Sequence, residues 1–70
     1  MNVKNNKRRR ESQEKIEKAF IELLQTRKIK DITVSDLIKM TELNRSTFYA
    51  NYLDIFDLAD KTREKLEKDF

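Results

Sequence analysis

Residues 33–52 read TVSDLIKMTELNRSTFYANY, and the spacing of their apolar positions predicts two short helices joined by a tight turn. Val34, Leu37 and Ile38 fall at i, i+3 and i+4, which gives the first helix one inward face. Thr33 stands where its side chain can cap that helix. Asp36, three residues on, can reach back to the Thr33 amide in a variant of the capping box. After Met40-Thr41-Glu42-Leu43, Asn44 is a good cap for the second helix. In that helix Phe48 and Tyr52, four apart, take the buried side, and Arg45, Ser46, Thr47, Tyr49, Ala50 and Asn51 are left facing away. No acidic residue occurs between Asn44 and Leu53. Such an outer face suits a polyanion, and the pattern reads as a helix-turn-helix whose second helix enters the major groove of DNA.

The turn between these helices poses a steric problem. Turns of this kind often need one residue at positive φ, normally Gly, and the chain has no Gly. Glu42 is the expected occupant, at about 1 kcal/mol above Gly.

Working outward, Ile16, Ala19, Phe20, Leu23 and Leu24 form an apolar stripe at helical spacing. Ser12 is its expected cap, and Glu14 with Lys18 makes an i, i+4 pair on the outer face. Ile29 and Ile32 are expected to tuck beneath the bundle. On the other side, Asp54 is placed to cap a last helix with Asp57 at its third position. Ile55, Leu58, Ala59, Thr62 and Leu66 mark the inner face of that helix. Four helices are thus expected, at about 12–27, 34–40, 45–51 and 55–69. Phe56 and Phe70 fall off the stripe, as aromatics meant for another surface would.

The totals bound this picture. Seventy residues make one small domain, near the lower limit for independent folding. Charged residues reach 41%, yet the apolar ones cluster at helical spacing, which fits an all-α bundle better than a disordered tail. With neither Cys nor His, thiolate and imidazole metal ligands are absent, and no metal or cofactor is expected. Ser12, Ser35 and Ser46 have no His to activate them, so an enzyme is not expected. No apolar run reaches membrane-span length, and no apolar core follows the basic start. The expectation is therefore no membrane partner, no signal peptide, and a cytoplasmic location.

The formal charge of +3 is unevenly placed. Lys4, Lys7, Arg8, Arg9 and Arg10 lie within the first ten residues. The remainder holds eleven basic against thirteen acidic residues, a net of −2. Residues 1–10 are therefore read as a basic mobile arm, either ordered on phosphates through Arg9 and Arg10 or a solvated tail. Residues 11–70 form the folded domain. Comparable arms reach DNA backbone or minor groove in other helix-turn-helix proteins.

These residues resemble the N-terminal DNA-binding domain of TetR-type (tetracycline-repressor-like) transcriptional regulators. The likeness runs from about Ser12 to Leu58. It comprises Ile16, Ala19, Phe20 and Leu23, then Ile32-Thr33-Val34 with Asp36-Leu37. Its strongest part is Arg45-Ser46-Thr47-Phe48-Tyr49, followed by Tyr52 and Leu58. The resemblance implies a homeodomain-like three-helix core plus the start of a fourth helix. It implies base contacts from Arg45, Ser46 and Ser35, and phosphate contacts from Thr33, Thr47, Tyr49 and Asn51. It places Phe48 and Tyr52 in the core. Glu42 departs from the family, which commonly has Gly there, and Ile55 replaces a phosphate-anchoring Lys. The family's C-terminal ligand and dimerisation domain is absent from the chain. A homodimer on a palindromic operator, acting as a repressor, is the expectation for a full-length regulator, and a monomer for this segment.

In chemical terms Arg45 suits bidentate donation to guanine O6 and N7, against the plainer role of a surface Arg on a phosphate or an acid. The hydroxyls of Thr33, Thr47 and Tyr49 suit register on the backbone, and for Thr33 the plainer role is capping alone. Ala50 can meet only a thymine methyl. A rival expectation is a small helical protein-interaction module that uses Tyr49, Tyr52, Phe56 and Phe70 around the last helix.

Overall fold

The computed structural model describes the backbone of residues 3–68 and the side chains of residues 9–67. Among these the chain is all-α: four helices and one 3-10 turn, with no strand.

The first helix, α1, spans Val3–Leu24. It buries Ile16, Ala19 and Phe20, three positions at i, i+3 and i+4. It begins nine residues before the expected start at Ser12, so Ser12 lies within the helix and caps nothing. The segment read as a basic mobile arm is helical from Val3. Lys and Arg are good helix formers, and no Gly or Pro interrupts this stretch. Extending an established helix also avoids the cost of a new nucleus. Toward its end Leu23 is half-buried and Leu24 is 43% exposed. Eight residues beyond Ile16 a helix has rotated about 80° from the Ile16 direction, which carries Leu24 off the packed face. The helix stops at Leu24 rather than near residue 27, and the Arg27 amide donates to the Leu23 carbonyl at 2.8 Å as the chain turns.

The 3-10 turn, Ile29–Asp31, delivers Ile32 into the core and leaves Ile29 packed at its edge. The second helix, α2, spans Val34–Thr41 and starts with both halves of the capping box. The Asp36 amide donates to Thr33 Oγ1 at 3.1 Å, and the Thr33 amide donates to Asp36 Oδ2 at 3.0 Å. Leu37 is fully buried, while Val34 and Ile38 pack around it. The helix ends at Glu42, which takes φ 60° and ψ 19°, the left-handed conformation. Its amide donates to the Ile38 carbonyl at 2.9 Å. The Thr41 hydroxyl donates to the Leu37 carbonyl at 2.7 Å and accepts from the Leu43 amide at 3.3 Å, so one side chain ties both sides of the turn.

The third helix, α3, spans Arg45–Asn51 and is capped by Asn44, whose Oδ1 accepts from the Thr47 amide at 2.9 Å. The fourth, α4, spans Ile55–Lys68. Asp54 Oδ1 accepts from the Asp57 amide at 2.8 Å, while Asp57 Oδ2 reaches one residue further back, to the Leu53 amide at 2.9 Å. Ile55, Leu58 and Thr62 face inward. Leu66, expected on that face, is 51% exposed. Phe70 lies outside the described residues.

Each helix places at least one side chain in the centre: Ile16 and Phe20 from α1, Leu37 from α2, Phe48 from α3 and Leu58 from α4. Across the surface, Lys65 Nζ of α4 lies 3.1 Å from Glu17 Oε1 of α1. Among the described residues Glu17 is the α1 acid with an ion pair, and the expected Glu14–Lys18 pair is not formed. With Lys65 exposed and Glu17 half-buried, a surface pair of this kind contributes about 1 kcal/mol or less.

Candidate nucleic-acid interface

Burial of Phe48 and Tyr52 sets the rotation of α3 about its axis. Their rings lie 5.5 Å apart, and Tyr49 meets Phe48 edge-to-face at 5.2 Å while remaining 53% exposed. With that face fixed, Arg45, Ser46, Tyr49 and Ala50 are exposed, and Thr47 and Asn51 are half-buried. Burial also pushes the Tyr52 phenol well above its ordinary range, with the Glu17 carboxylate adding to the shift.

At the start of α3, Arg45 Nη2 donates to Ser35 Oγ of α2. The two helices thereby place Ser35, half-buried, beside Arg45, exposed. Thr33 is exposed at the head of α2 with its oxygen occupied by the capping bond. Asp36 below it is lowered from the usual carboxylate range, first by the Thr33 amide and further by Arg27, whose Nη1 lies 2.8 Å from Asp36 Oδ2.

Asn44 organises more than a cap. Its Oδ1 accepts from Ser46 Oγ at 2.7 Å and from Thr47 Oγ1 at 2.9 Å, besides the Thr47 amide. Three donors thus converge on one carbonyl oxygen, and Thr47 Oγ1 has a partner within the protein.

At the far end, Asn51, expected to meet phosphate, has three hydrogen bonds within the protein. Its Nδ2 donates to the Thr47 carbonyl at 2.9 Å. Its Oδ1 accepts from Arg9 Nε and from Gln13 Nε2, both at 3.2 Å. Arg9 Nη2 also donates to the Ala50 carbonyl at 3.3 Å, and Lys61 Nζ donates to the Asn51 carbonyl at 3.3 Å. Two cations from α1 and α4 thus cover the carbonyl end of α3, where the helix dipole is negative. Lys61 also lies 3.3 Å from Asp57 Oδ2 and 5.6 Å from the centre of the Tyr52 ring. Arg10 is exposed.

Gln13 and Lys61 were not legible as site residues. Lys61 had one local signal, its i, i+4 spacing from Asp57, and Gln13 had none. Among the described residues no helix is long and apolar enough to cross a membrane. Comparison of the chain with family models, with curated proteins and with solved structures gives no match in any of the three.

Proposed function

We propose that this chain is a sequence-specific double-stranded DNA-binding domain of the TetR type, with α3 in the major groove and α2 lying behind it. The observation that carries the reading is the orientation of α3: Arg45 and Ser46 face solvent, Phe48 is fully buried, and no acidic residue lies between Asn44 and Leu53. A donor-rich, acid-free helix face fits the acceptor-rich edges of guanine and the phosphates beside it. In this reading Arg45, Ser46 and Ser35 address bases, with Ala50 against a thymine methyl. Thr33, Tyr49 and Arg10 address phosphates. Asn51 and Arg9 act from behind by holding the end of α3. The parent protein is a cytoplasmic repressor that binds a palindromic operator as a homodimer, and the domain alone is a weak monomeric binder, since one such unit makes few phosphate contacts.

The test is a gel-shift titration of the chain with random-sequence duplex at two salt concentrations, beside the Arg45→Ala variant. Binding that weakens steeply with salt and depends on Arg45 is the expected result. Salt-insensitive behaviour, or no binding at all, overturns the reading.

A second reading is favoured by a separate observation. Leu53, Phe56 and Leu66 are 81%, 59% and 51% exposed at and along α4, and a protein partner would cover them. Tyr52, expected in that patch, is 3% exposed and unavailable to it. This reading predicts that Phe56→Ala abolishes partner binding and leaves DNA binding unchanged.

A further inference from the structure

With seven residues, α3 has a length at which a helix is marginal on its own. The last four carbonyls of a helix have no partner along it, and in α3 these belong to Phe48, Tyr49, Ala50 and Asn51. The Phe48 carbonyl accepts from the Tyr52 amide at 2.9 Å as the chain leaves the helix. Two others are met by side chains of different helices: Arg9 of α1 donates to the Ala50 carbonyl, and Lys61 of α4 to the Asn51 carbonyl. The last turn of α3 has no cation of its own. Lys61 is held on three sides, by the Asn51 carbonyl at 3.3 Å, by Asp57 Oδ2 at 3.3 Å and by the Tyr52 ring below it at 5.6 Å. Asp57 Oδ2 in turn accepts from the Leu53 amide, in the link between the two helices. One ammonium thus ties the end of α3, the link and the first turns of α4 together.

Ala50, the residue assigned to a thymine methyl, is exposed one position before Asn51. Resting on the DNA-binding reading above, we infer that Lys61 is a positioning residue for sequence recognition. It fixes the carbonyl end of α3 and with it the depth at which Ala50 meets its base, and it does so without touching DNA. The head of α3 is held by other groups, the Asn44 cap and the contact of Arg45 with Ser35, so the base that Arg45 reads lies outside the influence of Lys61. Five residues of helix separate Arg45 from Ala50, about 7.5 Å or roughly two base steps. The two effects therefore fall on different base pairs.

The test selects a preferred duplex from a library with a randomised core, and Arg45→Ala marks the base pair that Arg45 reads. Each thymine of that duplex is then replaced in turn by uracil, which lacks only the methyl. In the unmodified chain one replacement, about two steps from the Arg45 base pair, is expected to weaken binding about fourfold, the scale of one buried methyl. In Lys61→Met the same replacement is expected to have far less effect, with the Arg45 base pair still preferred and the salt slope unchanged. Lys61→Arg keeps a cation in place and is expected to keep the sensitivity to that methyl. Equal sensitivity in Lys61→Met and the unmodified chain, even with a lowered urea midpoint, means that Lys61 is a structural cap only. Uniform weakening with a salt slope reduced by about one means that it neutralises a phosphate. Either result, or a duplex in which no thymine methyl matters, overturns the positioning role and leaves DNA binding intact. No base preference in the unmodified chain overturns both.

Discussion

Arg9 Nε donates to Asn51 Oδ1 at 3.2 Å, joining side chains forty-two positions apart in sequence. The contact links the basic beginning of α1 to the last residue of α3. It joins two residues that were expected to meet phosphate separately. A double-mutant cycle with Arg9→Ala and Asn51→Ala is expected to give a coupling of about 0.5–1 kcal/mol in urea unfolding. If the two losses simply add, the contact does not stabilise the protein.

Glu42 holds a left-handed conformation that a Cβ disfavours. Glu42→Gly is expected to stabilise the chain by up to about 1 kcal/mol, less the greater entropy that Gly restores to the unfolded state. Chemical denaturation measures it directly; a destabilised Gly variant would mean that the Glu42 side chain contributes more than its backbone costs.

Thr62 is 6% exposed, and its Oγ1 has no hydrogen-bond partner among the described residues. Thr62→Val replaces that hydroxyl by a methyl of the same shape. Removing an unpaired buried polar group is expected to raise stability by about 1 kcal/mol, read as a higher urea midpoint with unchanged slope.

The pH profile of stability is expected to fall at both ends. Asp36 and Asp57 have carboxyls lowered from the ordinary range, Asp36 chiefly by the Thr33 amide and Asp57 chiefly by the Leu53 amide. A depressed folded-state pKa gives stability above the ordinary carboxylate range that is lost as pH falls through it toward the folded value. Tyr52 is shifted the other way by burial, so its contribution is present below the ordinary phenol range and lost as pH rises through it. Asp36→Asn is expected to flatten the acid limb and Tyr52→Phe the alkaline limb, read by urea midpoint against pH. An unaltered limb in either variant rules out that residue as its source.

Three substitutions separate the jobs on the outward surface. Arg45→Ala is expected to cost about 1–3 kcal/mol on the preferred site and flatten one base pair. Arg10→Ala is expected to weaken all duplexes alike and reduce the salt slope by about one, because one phosphate charge is no longer neutralised. Tyr49→Phe is expected to weaken all duplexes alike with the slope unchanged, since it removes a hydroxyl and no charge. Titrations of preferred and scrambled duplexes at several salt concentrations distinguish the three, and matching profiles would refute the division of labour.

What the linear chain determined are the features governed by neighbours a few residues apart. The Thr33–Asp36 box, the Asn44 cap, the strained turn at Glu42 and the inward pairing of Phe48 with Tyr52 all follow from helix periodicity and from the backbone groups left free at helix ends. These suffice to orient α3 and hence to name Arg45 and Ser46 as outward. Only tertiary packing decided the rest. Leu66 shares the spacing of Ile55, Leu58 and Thr62 yet stays exposed, and Asn51 finds Arg9 and Gln13 only after α1 is laid against α3. Such contacts rest on three-dimensional proximity between segments dozens of residues apart, which helical spacing does not encode.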